Sequence, residues 1–178
     1  MLIFGPFVIV FVMNRITNKD MIRRDKMNIY FTNVMLLVIA IIASFTIGLK
    51  AYLLIQVPII LISHSMGLWL FYVQHQFDGV SWVRSDSWDY KIAAMNGSSF
   101  LKLNPVFQWF TGNIGFHHVH HLSSRIPNYN LASCHYENAL FNQIRPISIL
   151  ESFKTFRLNL WDEVNSKMVS FRIAKKSA

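Results

Sequence analysis

Two long stretches without a charged residue dominate the first half of the chain. Residues 30–49 carry no charge over 20 positions, and residues 51–73 carry none over 23. A helix rises about 1.5 Å per residue, so about 20 apolar residues cross the ~30 Å hydrocarbon core of a bilayer. Lys50 alone separates the two stretches. The pattern predicts a transmembrane hairpin over residues 30–73, with two buried helices of a soluble protein as the alternative.

The composition agrees with a membrane protein and excludes several other classes. Hydrophobic residues make up 53% of the 178 residues and charged residues 15%, whereas about 25% charged residues is usual in soluble domains. Aromatic residues, at 15%, exclude intrinsic disorder, and the single cysteine excludes a disulfide framework. The formal net charge is +8, but no basic stripe alternates with aromatic residues, so we expect no nucleic-acid partner.

Histidine gives the strongest chemical signal, because four of the seven histidines lie within five residues. On a helix, the side chains of His117, His120 and His121 fall within about 100° of arc, and His118 lies at the edge. Neutral imidazole is a common metal ligand, and a metal offsets the cost of burying three imidazoles together. The spacing favours a metal site over the alternatives, an exposed histidine-rich turn or a proton-sensing cluster.

Other histidines extend the candidate site or lie apart from it. His75 follows the second apolar stretch and is a further candidate ligand, with an interfacial residue as the alternative. Asp78 can orient an imidazole as an acceptor, or it is a solvated charge. His64 lies within the second stretch, about 16 Å from His75 along a helix, so it shares no metal with His75; it packs against another helix or lines a substrate channel. We interpret His135, which follows Cys134 directly, as structural.

These observations predict an all-α fold, an integral membrane helical protein whose cytoplasmic helical cap carries the metal-site histidines. Residues 14–29 hold five basic and two acidic residues, and positive flanks stay in the cytoplasm, so we expect the histidine-rich region to face the cytoplasm. The expected segments are a truncated membrane helix at 1–13, a cytoplasmic basic linker at 14–29, the transmembrane hairpin at 30–73, and a cytoplasmic metal-binding cap with a C-terminal helix at 74–178.

A helix is expected within the cap after Pro146, from residue 147 to about residue 163. Its apolar residues recur at three- to five-residue steps and so share broadly one face. They are Ile147, Leu150, Phe153, Leu158 and Trp161.

Three segments resemble the membrane fatty acid desaturase family, and most closely its acyl-lipid branch. They are QHQFD at residues 74–78, GNIGFHHVHHLSSRIPNYNL at residues 112–131, and LNLWDE at residues 158–163, which fits the family's C-terminal helix. The resemblance implies a helical membrane enzyme with a cytoplasmic site of two non-haem iron ions held mainly by histidines. Such enzymes use molecular oxygen, and electrons from a ferredoxin or cytochrome-type donor, to introduce a double bond into the acyl chain of a lipid or fatty acid.

The resemblance assigns roles to individual residues of this chain. His117, His120 and His121 correspond to the family's last histidine box, and His75 to an extra histidine after its last membrane helix. Asp78 stands where the family pattern leads us to expect Glu. Asn113 lies within the similar segment at residues 112–131. We expect His118, Asn113 and Asp78 to lie near the metal ligands without binding the metal as primary ligands. Beyond metal ligands, no catalytic residue is predicted.

The family's first two histidine boxes have no counterpart in residues 1–73. We therefore expect the chain to be a C-terminal part of a desaturase that does not assemble the full two-iron centre alone. Three alternatives remain: a related two-iron fatty acyl hydroxylase, a non-catalytic membrane remnant or partner subunit, and a zinc protein.

Overall fold

The computed structural model of the chain describes residues 5, 7–83 and 85–177. The chain divides into two compact units, Met1–Trp69 and Leu70–Ala178. Helices dominate the described residues, which confirms the predicted helical class in its coarse form, and two short two-stranded sheets are added to them. The truncated helix predicted at residues 1–13 falls partly on residues 1–4 and 6, which lie outside the described residues.

Long helices make up most of the first unit. A π-helical turn, Phe7–Val12, and a 3-10 turn, Met13–Arg15, precede helix α1. Helix α1 is Arg23–Ala43, and it continues through the π-helical turn Ser44–Gly48 into helix α2, Leu49–His75.

One helical segment of the described residues, Arg23–His75, is long and apolar enough to cross a membrane by its length and composition. None of the residues in its most apolar stretch is buried, and an exposed apolar surface of that length is unfavourable in water. Gly48 has φ +85°, the left-handed backbone that favours glycine. Gly48 lies two positions before Lys50, near which the sequence predicts the turn of the transmembrane hairpin. The hairpin itself stays a prediction.

The second unit consists of short helices, 3-10 turns and strands. Its helices after α2 are α3, Tyr90–Asn96; α4, Pro105–Phe110; α5, His117–Leu122; α6, Leu131–Glu137; α7, Ile149–Lys154; and α8, Phe171–Ser177. Its 3-10 turns are Ser85–Ser87, Asn128–Asn130, Ala139–Phe141 and Thr155–Arg157. Its strands are β1, Phe100–Leu101; β2, Pro146–Ile147; β3, Leu160–Asp162; and β4, Lys167–Val169. Strand β1 pairs with β2 in parallel, and β3 pairs with β4 in antiparallel.

The core of this unit is a cluster of buried apolar side chains around α5. Phe100 and Phe116 stack with ring centroids 4.9 Å apart, and Val119 has no exposed surface. The cluster comprises Met95, Phe100, Phe116, Val119, Leu131 and Phe141. Residues from β1, α5 and α6 therefore converge beside the histidine-rich segment.

The helix predicted from residue 147 to about residue 163 is confirmed only in its middle part, as α7 and the 3-10 turn Thr155–Arg157, and it is wrong at both ends. Helix α7 begins only at Ile149, because Ser148 and Glu151 form a reciprocal capping box, and it ends at Lys154. The later part forms strand β3, which turns back because Asp162 accepts the backbone N–H groups of Val164 and Asn165, each at 3.0 Å. Such local side-chain hydrogen bonds compete with helix formation, and apolar spacing does not reveal them.

Candidate metal centre

A tight turn brings the chain into helix α5. Gly112 and Asn113 both have left-handed backbone, with φ of +61° and +57°. The Leu101 N–H donates to the Gly115 carbonyl at 2.9 Å, and a Cβ atom at Gly115 would collide with the Leu101 carbonyl oxygen and with the side chain of Gln108. Only glycine permits this close approach, which joins β1 to the residues directly before His117.

Hydrogen bonds also fix the end of helix α2 within the second unit. The Ser99 N–H donates to the Gln74 carbonyl at 3.0 Å, and the Ser99 hydroxyl donates to the Val73 carbonyl at 3.0 Å. The Gln74 side chain donates to the Ile114 carbonyl at 3.2 Å. Carbonyl groups of a last helical turn lack partners within the helix, so these bonds satisfy them and fix the position of His75.

Three histidine rings meet between the end of α2 and helix α5. The Nε2 atoms of His75 and His117 are 3.1 Å apart, and those of His117 and His121 are 3.0 Å apart. The candidate ligand atoms of all three lie within 4.8 Å of one another. Two nitrogens bound at about 2.1 Å to one ion, at a right angle, would be about 3.0 Å apart. The three nitrogens therefore fit ligands of a single metal ion.

The hydrogen-bonding capacity of imidazole supports the same conclusion. The Nε2 atom of His117 faces the Nε2 atoms of both His75 and His121. If the His117 Nε2 carries a proton, it can donate to one neighbour only, because a neutral ring has one N–H and one lone pair. If it carries the lone pair, that single lone pair can accept from one neighbour only. A cation facing the three lone pairs satisfies all three Nε2 atoms at once.

Burial keeps these rings neutral, the form that binds metal. Burial, together with the neighbouring His121 and His75, lowers the pKa of His117 to about 3. Burial also lowers the pKa of His75, against the effect of a hydrogen bond with the Gly97 backbone, and it lowers the pKa of His121. Because metal ions bind deprotonated imidazole, the centre is ready for a metal ion at neutral pH.

The other predicted residues of the cap lie outside this group. His120 stacks on His117 with ring centroids 5.6 Å apart, and its ring does not join the three convergent nitrogens. His118 is fully buried on another face of α5. Asp78 is exposed, and its side chain forms no hydrogen bond with any described residue. Asn113 donates from its side chain to the Asn128 carbonyl at 3.1 Å, so it stabilises the turn before α5.

His64 belongs to the first unit and is not a member of the three-ring group. Its Nδ1 donates to the Ile60 carbonyl, 2.7 Å away and one helical turn earlier. Its ring contacts the Phe11 ring edge-on, with centroids 5.8 Å apart. The structure thus gives His64 a local partner within its own helix.

Two contacts near the site were not predicted from the sequence, although His135 itself was interpreted as structural. The Tyr90 hydroxyl contacts the carbonyl oxygens of His121 at 2.9 Å and Leu122 at 2.8 Å, at the end of α5. His135 lies against His118, with the Nδ1 and Nε2 atoms 2.9 Å apart. No periodicity or motif connects these residues to the histidine-rich segment, because both contacts arise from tertiary packing.

The fold and the site define a mostly helical protein with one long apolar segment and a histidine centre suited to a metal ion. Residues 2–146 match the sequence model of the fatty acid desaturase family. The chain is also 42% identical, over 175 residues, to a fatty acid desaturase of Bacillus subtilis (strain 168), an alignment that covers 98% of this chain. The chain therefore belongs to the fatty acid desaturase family.

The similarity to the Bacillus subtilis protein covers only part of that protein's length. The alignment covers 50% of the Bacillus subtilis protein, so the chain spans half the length of the curated relative that it matches. No solved structure matches the chain. Family membership agrees with the presence of the histidine centre.

Proposed function

We propose that this chain contributes the metal-binding part of a membrane fatty acid desaturase, which introduces a carbon–carbon double bond into a fatty acyl chain. The observation that carries the proposal is the convergence of the His75, His117 and His121 nitrogens within 4.8 Å. These residues would hold one iron ion, and His120, which stacks on His117, is the proposed ligand of a second. When bound, the irons would use molecular oxygen to provide an oxidant strong enough to remove hydrogen from a methylene group, which no side chain can provide.

The residues of the chain have the task of holding this centre in place. The neutral rings of the three histidines present lone pairs to a cation, and the hydrogen bonds from Ser99 to the Gln74 and Val73 carbonyls fix the end of α2 that carries His75. The Tyr90 hydroxyl holds the end of α5, which carries His121. Fixed ligands cost little reorganisation when a metal binds, and such outer contacts commonly set metal affinity.

The apolar helix supports an acyl chain, of a lipid or a fatty acid, as the substrate. Helix α2 belongs to the segment Arg23–His75, which is apolar enough to cross a membrane, and it ends at a proposed ligand, His75. An acyl chain lying in the bilayer beside such a helix would reach the histidines at its end. The basic residues at 14–29 favour a cytoplasmic position for that end, where a ferredoxin or cytochrome-type protein would supply electrons.

The complete centre, in this proposal, needs donors beyond those of this chain. Two iron ions held mainly by imidazole require more nitrogens than the four histidines His75, His117, His120 and His121 supply. The alignment covers half of the Bacillus subtilis relative, which supports further ligands in sequence outside these 178 residues.

Co-expression tests the proposal directly. The chain is produced in a desaturase-deficient host, alone and together with the unmatched half of the Bacillus subtilis relative. We expect iron in the purified complex and new unsaturated acyl chains only when both parts are present, and we expect both to disappear in the His117→Ala variant. His64→Gln serves as a control for metal content, because His64 lies outside the three-ring group.

The product and the metal distinguish the alternatives. An inserted oxygen in place of a double bond would identify a hydroxylase. Zinc without iron in the purified complex would identify a zinc protein. Iron-free complexes without any acyl product would reject the desaturase proposal for this chain.

A further inference from the structure

A second pair of imidazoles lies next to the proposed metal ligands and belongs to neither the three-ring group nor its immediate contacts. The Nε2 atom of His118 is 2.9 Å from the Nδ1 atom of His135. His118 has no exposed surface, and His135 is 8% exposed. His118 is the second residue of α5, and His135 lies in α6.

Among the residues that the structure describes, the two facing nitrogens have no hydrogen-bond partner other than each other. The His135 ring lies 4.5 Å from that of Phe100 and 5.3 Å from that of Phe116, and the His118 ring lies 5.3 Å from that of Phe141. Aromatic rings of this kind exclude water. One imidazole must therefore donate its N–H to the lone pair of the other, since a buried nitrogen without a partner is strongly unfavourable.

Helix α5 depends on such contacts for its orientation. It has only six residues, and isolated helices of that length are unstable in water, so packing decides its rotation about its own axis. An atom about 6 Å from a helix axis moves by about 2 Å when the helix turns by about 20°. A rotation of that size would remove the Nε2 atoms of His117 and His121 from the 3.0–3.1 Å distances seen here.

We propose that His135 is a positioning residue for the metal centre, because its hydrogen bond to His118 fixes the rotation of α5 that directs His117 and His121 toward His75. The role in metal binding rests on the function proposed above, whereas the role in ring geometry does not. His118 lies at the start of the helix, and the Tyr90 hydroxyl lies at its end. The two contacts together hold both ends of α5.

Two substitutions of His135 separate hydrogen bonding from volume. The side-chain amide of Asn can occupy the position of the His135 Nδ1 and keep a hydrogen bond to His118. Leu fills a similar volume but forms no hydrogen bond. We therefore compare His135→Asn with His135→Leu in the full 178-residue chain in detergent. A second pair of variants, His118→Gln and His118→Leu, tests the same hydrogen bond by changing His118. This pair replaces the first one if His135→Leu does not fold.

The first measurement is cobalt binding, followed by the visible absorption of Co²⁺ on titration. We expect His135→Leu to weaken Co²⁺ binding by about 10- to 100-fold, the range typical of lost outer contacts, and His135→Asn to restore most of the affinity. Thermal unfolding by circular dichroism is recorded for each variant. Equal Co²⁺ affinity in the Leu and Asn variants, or losses that only follow the melting temperature, would overturn the proposal.

The second measurement needs no metal. In histidine-labelled chain, we expect nuclear Overhauser contacts between the His75 ring and the rings of His117 and His121, whose centroids lie 4.8 and 5.1 Å from it. These contacts should persist in His135→Asn and vanish in His135→Leu. Their persistence in the Leu variant contradicts the positioning role. If the wild-type chain binds no Co²⁺ but the ring contacts respond as expected, the positioning role stands and the metal-binding function fails.

Discussion

Helix α5 carries histidines in two contrasting environments. His117 and His118 are adjacent and both buried, at 7% and 0% exposure, and burial lowers the pKa of both, to about 3 and about 4. They differ in their partners. The His118 Nε2 faces one nitrogen, on His135, whereas the His117 Nε2 faces two, on His75 and His121.

This difference shows which structural feature separates a candidate metal ligand from a buried histidine that is only hydrogen-bonded. Neither burial nor a lowered pKa separates the two histidines, because desolvation acts on any imidazole removed from water. Two facing imidazoles satisfy each other with one hydrogen bond, but three nitrogens that converge cannot all be satisfied in that way. The count of convergent nitrogens, rather than burial, marks the candidate metal site.

The largest expected effect comes from removing the central ring of the three. We expect His117→Ala to weaken Co²⁺ binding by at least about 100-fold, because it removes the nitrogen that lies within 3.1 Å of both others. Isothermal titration of the chain in detergent measures the change, with His64→Gln as the matched control. Stoichiometric tight binding in the His117→Ala variant would show that the three rings are not the site.

A second prediction contrasts the two environments by stability. His118→Leu leaves the facing nitrogen of His135 buried without its partner. We therefore expect the free energy of unfolding to fall by about 1–3 kcal/mol. His121→Ala changes an exposed ring, so we expect a change within about 0.5 kcal/mol in the absence of metal. Chemical unfolding in detergent compares the two variants. A larger loss in His121→Ala than in His118→Leu would reverse the contrast drawn here.

The sequence predicted some of the histidines that meet in the structure but not the exact set. Dense histidines at helical spacing predicted a metal site, and the structure brings His117 and His121 to His75. Helical spacing also included His120, whose ring the structure leaves beside the group. Helical spacing gives only the direction in which each side chain leaves the helix axis. Which nitrogens meet depends on the position of the His75 ring at the end of α2. The assignment of His120 as a ligand therefore stays a prediction.

The contacts that position the site could not be read from spacing. His118 meets His135 across 17 residues, and Tyr90 meets His121 across 31. Between Tyr90 and His121 the chain contains strand β1 and a left-handed turn at Gly112 and Asn113, and between His118 and His135 it contains the 3-10 turn Asn128–Asn130. How these segments bring the paired residues together depends on tertiary packing rather than on local pattern. The predicted helical class and family are confirmed in coarse form, because long apolar stretches and a dense motif are local signals.

The third prediction concerns acid. The folded pKa of His117, about 3, lies below the ordinary value of 6.5, so between these values the unfolded chain takes up the proton more readily than the folded chain. The contribution of His117 to stability is therefore complete above pH 6.5 and declines as the pH falls toward about 3. We expect the melting temperature of metal-free chain to fall over this window, and to fall less in His117→Gln. If the melting temperature of His117→Gln falls with pH as steeply as that of the unaltered chain, His117 is not the cause of the acid sensitivity.

The smallest expected effect tests the far end of α5. Tyr90→Phe removes the hydroxyl that contacts the His121 and Leu122 carbonyls, and a single hydrogen bond of this kind contributes about 0.5–1.5 kcal/mol. We expect a melting temperature lower by a few degrees and Co²⁺ binding weaker by a few-fold, because the last turn of the helix carries His121 but is also held by packing against α3. Tyr136→Phe is the matched control, since that exposed tyrosine contacts its neighbours through its ring. An effect of Tyr136→Phe as large as that of Tyr90→Phe would mean that the hydroxyl of Tyr90 does not position His121, and the orientation of α5 would then depend on its first turn, where His118 meets His135.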